Sequence, residues 1–204
     1  MRLRSLLPVV FCCALFACKE KQNSASTEEK ATTGQEPPQK TGDTTETYFS
    51  ITDYFNDQWK NRNGDPYTLL KIVETNGRRD SAYVPLDGVL WGRLRAYFDA
   101  ADISDKKYLG WYKFDMFTDE TTETTHLHYE AVAADLFLRK MDISADMVTN
   151  LVKSIYMETS RQQDGRLVRQ KLQYMPDRIF QIQILGSEKG NITKDTLLEY
   201  RFKY

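Results

Sequence analysis

The clearest structural pattern in the sequence is the C-terminal run Leu198-Glu199-Tyr200-Arg201-Phe202-Lys203-Tyr204. Large apolar side chains alternate in it with charged ones. Successive side chains of a β-strand point to opposite faces of the sheet. One face would therefore carry Leu198, Tyr200, Phe202 and Tyr204, and the other Glu199, Arg201 and Lys203. This alternation predicts a strand in an antiparallel sheet that has one buried face and one face in water.

Further strand patterns precede this run and are separated by turn sequences. Asn76-Gly77 and Asp164-Gly165 are typical of two-residue hairpin turns, and Pro176-Asp177 and residues 186–191 mark two more turns. The predicted strands are Thr68–Thr75, 79–84, 108–117, 124–133, 136–144, 151–162, Arg166–Met175, 179–185 and the C-terminal run. Because successive strands joined by short turns usually pair as neighbours, we expect an antiparallel meander of roughly seven to nine strands.

Two helices are predicted in the N-terminal part of this region. Ser50 is a suitable N-cap for a helix that ends before residues 63–66, and Phe49 and Tyr54 have the spacing of a hydrophobic staple. Asp87 is a suitable cap for a second helix that runs to about Ala101. We expect both helices to cover the apolar face of the sheet, which makes the fold class α+β.

Composition limits the kind of protein. The chain has 204 residues, of which 41% are hydrophobic, enough for a packed core. Its formal net charge of −1 argues against nucleic-acid binding, which normally requires a basic surface. All three cysteines lie at or before Cys18, so the rest of the chain contains no disulfide and no thiolate metal site.

The N-terminus has the pattern of a signal peptide. Arg2 and Arg4 precede an apolar run of residues 6–17, and Cys18 follows directly. The four residues Leu15-Phe16-Ala17-Cys18 resemble the lipobox of bacterial lipoproteins. The resemblance implies cleavage before Cys18 and attachment of diacylglycerol to its sulfur, with fatty acids such as palmitate. Since Lys19 rather than Asp follows the cysteine, it also implies the outer membrane.

The sequence divides into three parts. Residues 1–17 form the predicted signal peptide, and Cys18 with residues 19–47 forms a lipidated tether rich in Thr, Glu and Lys. The tether has no aromatic side chain and no aliphatic one larger than Ala, so we expect it to stay disordered. Residues 48–204 hold every Tyr and Trp and are expected to form a single globular domain.

One constellation could carry chemistry. On a strand, His126, His128 and Glu130 would share one face. Two imidazoles and a carboxylate could hold zinc and leave a coordination position open, as a hydrolytic metal requires. The alternative is that the three residues belong to an ordinary solvated face while Leu127 and Tyr129 pack inward. No nucleophile elbow, phosphate-binding loop or zinc-protease helix motif is present.

These patterns favour a non-enzymatic lipoprotein of the bacterial envelope, anchored through Cys18. We expect its domain to bind a partner protein or an apolar, lipid-like ligand, with no cofactor and no nucleic acid. The alternative is an anchored metal-dependent hydrolase that uses His126, His128 and Glu130.

Overall fold

The computed structural model describes residues 47–62 and 64–203 of the chain. These residues form two α-helices, nine β-strands and one 3-10 turn, which lies at Lys106–Tyr108 between the second helix and the third strand. The helices are α1 (Ile51–Arg62) and α2 (Gly88–Asp99). The strands are β1 (Thr68–Thr75), β2 (Arg78–Pro85), β3 (Tyr112–Asp119), β4 (Thr124–Ala131), β5 (Leu138–Asp146), β6 (Val152–Gln163), β7 (Arg166–Met175), β8 (Ile179–Glu188) and β9 (Asn191–Lys203).

All nine strands belong to one antiparallel sheet, in the order β2-β1-β9-β8-β7-β6-β5-β4-β3. Strands β3 to β9 form the predicted meander, which confirms the α+β class. The meander does not extend to the first hairpin, because β1 pairs with β9 rather than with β3. The C-terminal strand therefore lies inside the sheet between β1 and β8, and β2 and β3 are the two edges among the described strands.

Helix α1 begins as the sequence predicts. The Ser50 hydroxyl accepts a hydrogen bond from the Asp53 backbone N–H at 3.1 Å, and the rings of Phe49 and Tyr54 lie 5.8 Å apart as a staple. The Phe55 ring then enters the core, 5.0 Å from Tyr174 of β7 and 6.0 Å from Phe180 of β8. Burying a side chain of this size stabilises the fold by about 1.5–3 kcal/mol.

Helix α2 is capped by Asp87, whose carboxylate accepts from the Leu90 backbone N–H at 2.7 Å. Its buried Phe98 lies 5.1 Å from Phe55 and 6.1 Å from Phe180. The helix ends at Asp99, two positions earlier than predicted, because Ala101 bonds to the Phe98 carbonyl in a tighter turn. Both helices thus contribute aromatic side chains to the same core.

The hairpin turns have the predicted geometry. Asn76 and Gly77 have φ values of 49° and 80°, and Asp164 and Gly165 have 51° and 75°. Positive φ at both central residues defines the type I′ turn, which matches the twist of the flanking strands.

Three predicted strand boundaries were wrong by three or more residues. Strand β9 begins at Asn191 rather than at Leu198, because it continues to pair with β8 up to the turn. Strand β3 begins at Tyr112 rather than at residue 108, because the Asp105 carboxylate caps the 3-10 turn at Lys106–Tyr108. Strand β8 continues past residue 185 to Glu188 through a register irregularity at Gly186. Its turn lies at Lys189-Gly190, where φ is 50° and 84°.

The C-terminal strand has the predicted alternation, with one exception. Tyr200 and Phe202 are buried, and Tyr204 lies outside the described residues. Glu199 was expected in water but is only 8% exposed. It lies between Ile72 and Gln181 in the strand register, and the Arg201 guanidinium hydrogen-bonds to its carboxylate. This part of the polar face is therefore covered.

Candidate functional site

His126 and His128 lie on strand β4. As predicted, Tyr129 of this strand is buried and Leu127 is half-buried. His126 and His128 each have their own partner. The His126 ring stacks on Phe117 of β3 at 4.8 Å, and its Nε2 lies 2.8 Å from the Thr124 hydroxyl. His128 Nδ1 lies 2.5 Å from Asp142 Oδ1 of β5. The strand thus places both imidazoles in separate contacts.

Glu130, the third residue of the predicted set, is exposed and stands opposite Lys113 of β3 and Lys140 of β5. Lys140 also forms an ion pair with Asp142 at 3.0 Å. Over residues 47–62 and 64–203, no three His, Cys, Asp or Glu side chains are grouped so that they could hold a metal ion. The structure therefore does not bring His126, His128 and Glu130 together as a ligand set.

The polar face carries a row of alternating charges across five neighbouring strands. In register order the row is Lys113, Glu130, Lys140, Glu158 and Lys171. Opposite charges directly across a strand pair stabilise a sheet by roughly 0.2–1 kcal/mol per pair. This arrangement indicates that the charges stabilise the sheet and leave no concentration of one sign for an ionic ligand.

An exposed apolar surface lies at edge strand β3, at the other end of the sheet from β2. Every residue of β3 from position 113 to position 118 is exposed. Five large apolar side chains, which we call the apolar edge, are exposed on β3 and on the segment before it: Leu109, Trp111, Phe114, Met116 and Phe117. Met116 is 65% exposed, although Ile143, two strands further in on the same cross-strand row, is 1% exposed. The buried row of the core thus continues into solvent at β3.

A cleft of about 560 Å³ opens beside the apolar edge. It is lined by Thr47, Tyr48, Leu109, Gly110, Phe114 and Tyr129. The Tyr129 ring lies 4.9 Å from Phe114 and 5.5 Å from Tyr48. Aromatic walls with few polar groups are typical of sites for apolar ligands.

Tyr48 fixes the start of the described chain against this cleft. Its hydroxyl donates to the Tyr112 carbonyl at 3.0 Å and accepts from the Gly110 backbone N–H at 3.1 Å. The Tyr129 hydroxyl in turn accepts from the Phe49 backbone N–H at 3.4 Å. Burial raises the pKa of the Tyr129 hydroxyl further above its ordinary value of 10.0. These bonds hold the chain where residue 47 enters the domain.

The apolar edge was not predictable as a site from the sequence. The available pattern was the composition of β3 and the residue before it, where Phe114 and Met116 fall on one face and Trp111 and Phe117 on the other. A strand with large apolar residues on both faces is typical of a buried position. What the sequence could not supply is that β3 lies at an edge.

Cys18 and residues 19–46 lie outside the described residues. Within the described part of the chain no helix is long and apolar enough to cross a bilayer. Comparison with protein-family models, with curated proteins and with solved structures finds no match for the chain.

Proposed function

We propose that the protein is a lipid-anchored, non-enzymatic binding protein of the bacterial envelope, attached through Cys18 to the outer membrane. Its domain binds an apolar, lipid-like ligand in the cleft beside β3. The lipobox resemblance at residues 15–18 supports the anchor. The observation that carries the binding function is the cleft lined by Tyr48, Leu109, Phe114 and Tyr129, in which the large apolar side chains of Leu109 and Phe114 are exposed.

The arrangement of the helices supports this site. We propose that α1 and α2 lie together over one face of the sheet and end short of β3. The contacts of Phe55 and Phe98 with Phe180 of β8 favour this placement. The increase in exposure from Ile143 through Leu127 to Met116 supports an end of this cover before β3. A ligand tail in the cleft would extend this cover over β3 and β4.

A partner protein is the second candidate occupant, because β3 is an open edge. Unpaired backbone groups of an edge strand accept an added strand from another chain. The charged row on the polar face offers no competing site, since each of its charges has an opposite neighbour.

The anchor is tested by labelling the full chain in cells with a radioactive fatty acid. We expect the parent chain to take up label and Cys18→Ala to take up none and to leave the membrane fraction. Equal labelling of both chains would contradict the anchor.

The cleft is tested with a photoactivatable fatty acid added to membranes that carry the chain. Phe114→Asp places a charge in the cleft, whereas Tyr83→Asp makes the same kind of change on β2, where Tyr83 is 68% exposed. Since burying an aromatic side chain contributes about 1.5–3 kcal/mol, Phe114→Asp should lower labelling about tenfold or more. Tyr83→Asp should leave labelling unchanged. Equal labelling of the two variants would contradict the site.

A further inference from the structure

The two edge strands of the sheet, β2 and β3, differ in the features that prevent pairing with a strand of another chain. Strand β2 begins with Arg78, Arg79 and Asp80 and ends at Pro85. Charged residues and proline are the usual means by which an edge strand avoids pairing with another chain. Strand β3 also carries three charged residues, Lys113, Asp115 and Asp119, but it has no proline, and its exposed positions include Phe114, Met116 and Phe117. An exposed apolar edge of this kind favours strand addition.

The backbone of β3 presents alternate residues to its open side. The Trp111 carbonyl accepts from the Val132 backbone N–H on the β4 side, at 3.0 Å. Residues of the same parity, Lys113 and Asp115 among them, therefore bond toward β4. The even-numbered residues Tyr112, Phe114 and Met116 point their N–H and C=O groups outward. Within the described residues no strand takes up those groups.

We propose that β3 pairs with β3 of a second copy of this chain, antiparallel across a two-fold axis at Phe114. The inference rests on the proposed function in one respect, since it names a protein partner for the same binding region. Pairing about Phe114 joins outward-pointing residues to outward-pointing residues, with Phe114 opposite Phe114 and Tyr112 opposite Met116. The Tyr112 carbonyl already accepts from Tyr48, and its second lone pair is left for the partner strand.

Charge complementarity selects this register. With the axis at Phe114, Lys113 of each copy stands opposite Asp115 of the other, and both residues are exposed. These are non-hydrogen-bonded positions, where side chains come closest, about 4.5 Å between Cα atoms. An axis at Lys113 would place Lys113 opposite itself, and an axis at Asp115 would place Asp115 opposite itself. Like charges directly opposite each other are destabilising.

The apolar residues agree with the same register. Trp111 of one copy comes to lie opposite Phe117 of the other, and Phe114 packs on its own symmetry mate. An axis at Met116 instead places Phe114 opposite Thr118 and Asp115 opposite Phe117. Only the axis at Phe114 pairs apolar with apolar and charge with opposite charge along the strand, so one register is specified.

Disulfide cross-linking of the full chain in its membrane tests the register. In Phe114→Cys, the two introduced cysteines would have Cα atoms about 5.5 Å apart, within the range of a disulfide. In Tyr112→Cys or Met116→Cys, each cysteine would lie about 13 Å along the strand from its symmetry mate, which is too far. Ala82→Cys on β2 is the control for random collision, since Ala82 is also exposed on an edge strand.

We expect a cross-linked dimer from Phe114→Cys above the background of the parent chain, and none from the other three variants. Equal cross-linking at positions 112, 114 and 116 would overturn the register. A yield at position 114 no higher than at position 82 would overturn the dimer.

A charge swap in the Phe114→Cys background tests the pairing directly. Asp115→Lys or Lys113→Asp alone turns two attractive pairs into repulsive ones and should lower the dimerisation constant about tenfold. Lys113→Asp combined with Asp115→Lys restores both pairs across the axis and should recover the cross-link. Asp80→Lys makes the same charge change on β2 and should have no effect. Failure of the double variant to recover, with its thermal melt unchanged, would overturn the proposal.

The two proposals fail separately. Uptake of the photoactivatable fatty acid without cross-linking at position 114 would support the lipid-like ligand and contradict the dimer. Cross-linking at position 114 without uptake of fatty acid would support the dimer and contradict the lipid-like ligand.

Discussion

The Arg62 guanidinium at the end of α1 lies 2.5 Å from the carboxylate of Asp177, in the turn between β7 and β8. Arg62 is only 6% exposed, whereas the Asp177 side chain is 52% exposed. The guanidinium also lies 5.6 Å from the centre of the Trp91 ring and 5.9 Å from that of Phe202. One side chain therefore joins the first helix, the second helix and the interior of the sheet.

We expect Arg62→Ala to lower the free energy of unfolding by about 2–4 kcal/mol, because it removes a nearly buried cation together with its packing on two rings. Asp177→Asn should lower it by about 1 kcal/mol, since Asp177 is half exposed. Urea denaturation of the purified chain measures both. Arg178→Ala is the matched control, because Arg178 is an exposed arginine next to Asp177. Losses of similar size for Arg62→Ala and Arg178→Ala would contradict the bridging role of Arg62.

The second stability prediction concerns Phe202. Its ring lies 5.9 Å from Tyr67 and 6.4 Å from Phe180, on a strand that pairs on both sides. Phe202→Ala should lower the free energy of unfolding by about 3–5 kcal/mol, because it leaves a cavity in the core. Lys203→Ala removes the exposed neighbour on the same strand and should change it by less than about 0.5 kcal/mol. A Phe202→Ala melt within error of the parent chain would rule out the core assignment.

The sequence predicted features of the fold that depend on neighbours along the chain. The Asn76-Gly77 turn and the Ser50 cap are local, because each is stabilised by groups within a few residues. Alternation in β9 likewise predicted which of its side chains are buried, apart from Glu199. Glu199 is covered by Arg201 and by neighbours on other strands. The alternation within one strand does not show which residues of other strands lie beside it.

The pairing of β1 with β9 could not be predicted in the same way. Alternation establishes that a strand has an apolar face, but many strands in this chain satisfy that condition equally well. The choice of β9 as partner places β2 and β3 at the edges. The apolar edge is exposed because β3 lies at the end of the sheet. The candidate site was therefore as unpredictable as the strand order, since both depend on which strands pair. The shared face of His126 and His128 was predictable, whereas Thr124 and Asp142 as their partners were not.

Asp146 gives a prediction for pH dependence. Its carboxylate accepts hydrogen bonds from the backbone N–H groups of Val148 and Thr149 at 3.1 and 2.9 Å, and it pairs with Lys153 at 3.1 Å. The Thr149 and Lys153 bonds hold the pKa of Asp146 well below its ordinary value of 3.8. A pKa that is lower in the folded than in the unfolded state stabilises the fold above the unfolded value, and this stabilisation is lost as the pH falls below it.

Asp146→Asn should therefore be less stable than the parent chain at pH 7, and the difference should shrink as the pH is lowered from about 5 toward 2. Thermal melts at a series of pH values measure this difference. Asp164→Asn is the control, because Asp164 lies in a turn at φ 51°, a conformation that asparagine also adopts readily. A difference between Asp146→Asn and the parent chain that stays constant down to pH 2 would contradict the role of the charged carboxylate.

The last prediction separates the binding protein from the hydrolase alternative. His126 and His128 each make a side-chain contact on a partly exposed face, so replacing both with Gln should lower the free energy of unfolding by no more than about 1–2 kcal/mol. Because Glu130 stands opposite Lys113 and Lys140, and the described residues contain no group of three potential metal ligands, we expect the melting temperature of the parent chain to be the same with and without a chelator. Glu130→Gln serves as the third-ligand control and should likewise melt independently of chelator. A chelator-dependent melt of the parent chain that disappears in both variants would show that these three residues hold a metal, and the hydrolase would then replace the binding protein as the better proposal.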